Sequence, residues 1–181
     1  MDAFGMLEFN SIPSGIEAGD AMLKAADVRL MEAHPVCAGK YVIAICGEVA
    51  AVQSSISAGR EVGAEAVVDE MVLANVHPQV ISAIVSCSEI DRCDAIGIIE
   101  TFSLACAVKA ADAAVKAAEV TLIEVRLGRG LGGKSFVVLT GNVAAARHAV
   151  QTAERETVDD GMLARTVIIP SPHPDLIKTL I

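Results

Sequence analysis

Two kinds of apolar run alternate along this chain, and each marks a different element. Residues 4–9 and 95–102 are short stretches of strand length with little polar content beyond one glutamate each, Glu8 and Glu100, and they predict strands. After the first, Ser14-Gly15-Ile16-Glu17 fits a capping box, and Ile16, Leu23 and Ala26 recur at helical spacing through Lys24, which predicts a helix with those residues on its apolar side. Residues 28–33 and 41–46 are strand-like again. They flank the loop Pro35-Val36-Cys37-Ala38-Gly39-Lys40, so they are expected to pair as an antiparallel hairpin. A helical pattern over 49–62, a short strand at 71–73 and a short helix opened by His77-Pro78 complete the series, with the proline suited to a first helical turn.

The same series then recurs. Gly5, Glu8, Ser11, Ala18, Asp20, Lys24, Val28 and Leu30 match Gly97, Glu100, Ser103, Ala110, Asp112, Lys116, Val120 and Leu122 at a constant shift of 92 residues. The shift grows to 94 at Gly39-Lys40 and Gly133-Lys134 and to 96 at His77-Pro78 and His173-Pro174, which places small insertions in loops. The second copy reads as strands at 120–127, 135–140 and 166–169 with a helix at 143–155. Each copy therefore has the order β-α-β-β-α-β-α, an α/β unit of an antiparallel sheet flanked by helices. Two tandem domains are expected, 1–90 and 91–181, meeting near 88–92.

Composition narrows the function classes. Apolar residues make up 53% of the 181, but aromatics only 3%, which favours close-packed helices and small-residue contacts over a bulky core. Mean hydropathy is +0.53, yet charged residues interrupt every segment before the roughly 18 apolar residues a spanning helix requires. No basic region followed by an apolar stretch opens the chain, so a cytoplasmic protein is expected. A net charge of −9 argues against a nucleic-acid partner. Five cysteines at 37, 46, 87, 93 and 106, without a Cys-x-x-Cys, indicate neither a disulfide framework nor a zinc ribbon. Cys46 and Cys106 fall within expected core elements, and Cys87 and Cys93 bracket the linker.

Two loops invite chemistry. Gly128-Arg129-Gly130-Leu131-Gly132-Gly133-Lys134-Ser135 satisfies the phosphate-loop pattern and by itself suggests a nucleotide hydrolase. That function needs a helix directly after the loop to hold phosphate, and residues 136–141 read as a strand instead. The repeat gives this segment another meaning: it is the second copy of the loop at Cys37, with Leu131 at the cysteine's position. Cys37 alone is one thiol per chain, read either as a tolerated loop cysteine or as one ligand of a set shared between chains.

The run from Gly5-Met6-Leu7-Glu8 through Gly15-Ile16-Glu17-Ala18-Gly19-Asp20-Ala21-Met22-Leu23-Lys24-Ala25-Ala26-Asp27-Val28, repeated from Gly97-Ile98-Ile99-Glu100 through Val120, resembles the bacterial microcompartment shell domain. Two such domains in non-permuted order, with Cys37 before Ala38-Gly39-Lys40, resemble the tandem-domain subunits of propanediol-utilisation compartments. That resemblance implies a non-enzymatic shell protein, a homotrimer forming a pseudohexagonal tile. Cys37 from each chain is then implied to ligate one [4Fe-4S] cluster per trimer in a central pore for electron transfer across the shell. Val36, Ala38, Gly39 and Lys40 become the pore loop, and Lys24 and Lys116 the edge lysines that meet adjacent tiles. Other shell proteins, edge to edge, and an encapsulated or cytosolic redox protein are the implied partners. The alternative is a metal-free tile whose pore passes or gates small metabolites.

Overall fold

The computed structural model describes residues 3–37, 39–86, 88, 90, 93–128 and 130–180. Two compact units divide the chain, Met1–Val76 and His77–Ile181. The first holds β1 (Ala3–Phe9), α1 (Ile12–Ala25), β2 (Arg29–Val36), β3 (Lys40–Gly47), α2 (Val49–Gly63) and β4 (Val67–Leu73). The second holds α3 (Pro78–Ile84), β5 (Ala95–Thr101), α4 (Leu104–Ala117), β6 (Thr121–Leu127), β7 (Ser135–Gly141), α5 (Val143–Thr157), β8 (Leu163–Ile169) and α6 (Pro174–Ile177). Of the segment where the two domains are expected to meet, residues 87, 89, 91 and 92 lie outside the described residues, Cys87 among them.

Both sheets are four-stranded and antiparallel with the same order, β2-β3-β1-β4 and β6-β7-β5-β8. The glutamate-bearing strands β1 and β5 are therefore interior, as their apolar runs require. The edge strands β4 and β8 begin several residues earlier than the hydrophobic runs at 71–73 and 166–169 suggest, because Asp69, Glu70 and Arg165 are charged positions that an edge strand accommodates facing water.

The first helix differs from the expected one in its cap and its buried face. Ser11, not Ser14, caps α1: its Oγ accepts the Ser14 backbone N–H at 3.4 Å, and Pro13 occupies the first turn. Ser103, its match, caps α4 in the same way through the Cys106 N–H. The buried side of α1 is Gly15, Ala18, Gly19 and Met22, whereas Ile16 and Leu23 point to solvent. The physical cause is close approach to the sheet: a Cβ on Gly15 would lie 2.7 Å from the Tyr41 ring, and one on Gly19 2.4 Å from Ile43 Cδ1. Helix and sheet meet through backbone, so the bulky side chains are left outside.

The repeat counts the His77-Pro78 helix as the end of the first copy. In space α3 packs on α4 and β6 of the second unit. The His77 backbone N–H donates to Asp112 Oδ1 at 2.8 Å, and the Leu122 N–H donates to Gln79 Oε1 at 2.9 Å. Val80 and Ala83 are fully buried there. The histidines of both His-Pro pairs act as helix caps, Nδ1 of His77 and of His173 accepting the N–H of Gln79 and of Asp175.

Candidate functional site

The hairpin β2–β3 carries the cysteine loop at its tip. Pairing runs to Pro35 opposite Tyr41 and Val36 opposite Lys40, so only residues 37–39 connect the strands. A three-residue connection turns back through one residue in the left-handed region, and Gly39 supplies it with φ +73°. Space around Gly39 is open, with nothing within 4 Å of where a Cβ would stand. Val36 is buried below the tip, Cys37 is partly exposed, and Ala38 lies outside the described residues.

The loop is anchored at its exit. Lys40, the first residue of β3, reaches Glu8 on β1, with Nζ 2.6 Å from Oε1. Glu8 is buried in the sheet, so the ion pair fixes the end of the strand that leads out of the tip. Beside the entry, His34 Nε2 stands 2.6 Å from Glu32 Oε2, and Nδ1 is 3.2 Å from the Pro35 carbonyl oxygen. The matched residues of the second unit are Glu124 and Arg126, again paired, with the guanidinium 5.3 Å from the Phe136 ring centroid. The only trace of this pairing in the sequence is the two-residue spacing that puts both side chains on one strand face.

The second loop has the glycines of a phosphate loop but not its setting. Gly128, Gly130, Gly132 and Gly133 all have φ between +62° and +88°, and Arg129 lies outside the described residues. Lys134 is occupied by protein groups: Nζ lies 3.3 Å from Glu100 and 5.6 Å from the centre of the Phe102 ring. The segment that follows is the strand β7, paired with β5 and β6. Ser135, whose hydroxyl would face the metal and phosphates in a phosphate loop, is fully buried in that sheet, and its Oγ has no hydrogen-bond partner. A buried hydroxyl without a partner costs about 1–3 kcal/mol. Ser135→Ala is therefore expected to raise stability by about 1 kcal/mol in urea unfolding; an unchanged or lower midpoint would mean that the hydroxyl is satisfied.

The remaining singled-out residues are dispersed. Cys46 and Cys106 are buried, in β3 and α4, and Arg29 Nε lies 3.2 Å from Cys46 Sγ. Lys24 and Lys116 end their helices in matched ion pairs, each with Nζ 2.5 Å from the aspartate one turn earlier, Asp20 or Asp112. Among the described residues, no group of three or more His, Cys, Asp or Glu side chains stands close enough to hold a metal ion. Among the described residues two thiols are partly exposed, Cys37 at the hairpin tip and Cys93 just before β5.

Comparison with known proteins settles the family. The BMC domain model matches twice, at residues 3–76 and 95–172. The chain belongs to the BMC-domain family of bacterial microcompartment shell proteins. It is 40% identical over 179 residues to the bacterial microcompartment shell protein PduT of Citrobacter freundii, covering 99% of this chain and 97% of that one. The shell protein EutM of Salmonella typhimurium is 38% identical over 84 residues, 46% of this chain and 84% of EutM. A crystal structure of a microcompartments protein from Desulfitobacterium hafniense superposes with a TM-score of 0.95 at 52% identity, covering 98% of this chain and 99% of that one. The tandem BMC domains read from the repeat are thereby borne out, as is their α/β fold. Among the described residues no helix is long and apolar enough to cross a membrane.

Proposed function

We propose that the chain is the subunit of a homotrimeric, pseudohexagonal shell tile whose three Cys37 thiolates, brought together at the threefold axis, hold one [4Fe-4S] cluster. The observation that carries the proposal is the position of Cys37: partly exposed, at the tip of a tight hairpin with open space at Gly39, and replaced by Leu131 at the matched tip of the second domain. Each trimer then presents three thiolates rather than six. Among the described residues no ligand set exists within one chain, so symmetry supplies it; three thiolates suit three irons of a cubane, the fourth iron taking a ligand from outside the tile. When bound, the cluster would supply one-electron transfer across the shell. The residues of the chain hold the thiolates in place: the Glu8–Lys40 pair fixes the loop exit, Val36 plugs the base, and Gly39 admits close approach. Lys24 and Lys116 would meet neighbouring tiles at the edge, and a redox protein on one face would exchange electrons with the pore.

Purification under anaerobic conditions with iron and sulfide analysis tests this. About four irons and four sulfides per three chains are expected, with a visible absorption band, and Cys37→Ser should lose all three signals while keeping the mass of the tile. Stoichiometric iron surviving in Cys37→Ser would overturn the site. Iron-free wild-type protein would leave the metal-free tile, with a pore for small metabolites.

A further inference from the structure

The strands that enter the two loops carry one pair of residues in two chemical forms. On β2, His34 Nε2 stands 2.6 Å from Glu32 Oε2, and on the matched edge strand β6 an Arg126 guanidinium nitrogen stands 2.5 Å from Glu124 Oε1. The shift of 92 residues carries Glu32 onto Glu124 and His34 onto Arg126. The register agrees: both pairs follow the break in their edge strand, and His34 lies opposite Val42 on β3 as Arg126 lies opposite Phe136 on β7. One unit therefore holds a permanent cation at this place, and the other a side chain of the type whose charge changes near neutral pH. The titratable form is on the strand that leads to Cys37, and the permanent one on the strand that leads to Leu131.

The surroundings of His34 are arranged for a proton. Both ring nitrogens face oxygen: the Glu32 carboxylate at Nε2 and, 3.2 Å from Nδ1, the Pro35 carbonyl. A neutral imidazole has one N–H to offer, so both contacts are made only when Nδ1–H donates to Pro35 and a further proton lies between Nε2 and the carboxylate. The two side chains are 16% and 17% exposed, which leaves water a route to that proton. Of the other charged groups on this sheet face, Lys40 on β3 and Glu8 on β1 are paired with each other, Arg29 Nε rests on Cys46 Sγ, and Asp69 lies on the far edge strand β4. The helices α1 and α2 pack on the opposite face, against Tyr41, Ile43 and Gly5. Cys37 follows His34 by three residues, about 10 Å along an extended strand. Charges partly withdrawn from water are little screened over that distance.

We infer that the Glu32–His34 pair is the proton partner of the redox centre held by Cys37. When one electron from a reduced one-electron carrier enters that centre, one of the three pairs in the tile takes a proton from solvent between Nε2 and the Glu32 carboxylate. When the electron leaves to an oxidised carrier, the proton returns to solvent. No bond between heavy atoms forms or breaks, and the added negative charge is offset by the added proton. The inference deepens the cluster reading above and rests on it. Coupling of this kind is reciprocal: if reduction favours the proton, then the proton favours reduction, and that support is lost as pH rises. Arg126 keeps its charge throughout, and the loop it leads to has no thiol to serve.

Anaerobic redox titration of the iron-loaded protein, followed in the visible band at a series of pH values between about 5 and 8, tests this. The wild-type midpoint is expected to fall as pH rises, approaching a tenfold change in the reduction equilibrium per pH unit, about 59 mV for one electron. His34→Arg installs the residue that β6 already accommodates; it is expected to keep the iron and to hold the potential flat, near the wild-type value at low pH. His34→Gln is expected to be flat as well, near the wild-type value at high pH. In weakly buffered solution a pH electrode gives an independent reading: the wild type takes up protons on reduction and His34→Arg takes up none. A flat wild type, or a slope that survives in both variants, overturns the inference while the bound iron leaves the cluster standing. Loss of iron from both variants makes His34 a residue that only holds the loop in shape, and overturns it likewise. Iron-free wild-type protein overturns the cluster and the proton coupling together.

Discussion

Lys40→Met is expected to destabilise the first domain by about 2–3 kcal/mol, while the same substitution at its match, Lys134→Met, costs less than about 1 kcal/mol. Both lysines are the residue after the loop glycine, and both pair with the glutamate of the central strand. Burial separates them. The Glu8 side chain is 3% exposed and its partner nitrogen is at 2.6 Å; the Glu100 side chain is 38% exposed with its partner at 3.3 Å. Removing Lys40 leaves a carboxylate in the sheet with its nearest cation gone, whereas water screens and solvates Glu100 when Lys134 is lost. Because Lys40 is itself one-third exposed, the expected cost lies below that of a wholly buried pair. Urea unfolding of each variant measures the difference, and adding Glu8→Gln to Lys40→Met should restore most of the loss, since it removes the stranded charge. Equal effects at the two sites would mean that the pair contributes through helix or loop packing and not through its charge.

This pair also marks where the sequence was legible and where it was not. Matching glutamates and lysines could be read from the repeat, but not that they touch, because Glu8 and Lys40 are 32 residues apart and meet only through the pairing of β1 with β3. The hairpin and its tip were legible from the break between two apolar runs and from Gly39-Lys40. The strand after Lys134, which denies the glycine-rich loop a phosphate-binding helix, was legible for the same reason. The buried side of α1 was not: it is made of Gly15, Ala18 and Gly19 with Met22, and hydrophobic periodicity weighs Ile16 and Leu23 more heavily than glycines that succeed by being small. Nor was the seat of α3, since a repeat tells which element comes next but not which neighbour it packs on.

The second large effect follows from how the two copies fill one site. A Cβ on Gly59 would lie 2.5 Å from Met22 Cγ and 2.7 Å from Leu7 Cδ1, both in fully buried side chains, so α2 meets α1 across a glycine opposite a methionine. In the second domain the matched positions are Ala153 and Ala114, both fully buried. Large-against-none in one copy has become small-against-small in the other, with a smaller total side-chain volume across the pair. Met22→Ala alone is expected to cost about 2–4 kcal/mol through the cavity it leaves. Gly59→Ala alone crowds Met22 and Leu7 by about 1–3 kcal/mol, offset by roughly 1 kcal/mol of helix propensity. The double variant recreates the second domain's combination: the new methyl at 59 enters the space that Met22 vacates. Its cost should fall short of the sum of the singles by about 2 kcal/mol, a coupling well outside the additivity of independent sites. Strict additivity in urea unfolding would show that the two helices relax apart rather than interlock, and that the repeated fold tolerates both fillings by adjusting the spacing of its helices instead of exchanging volume across them.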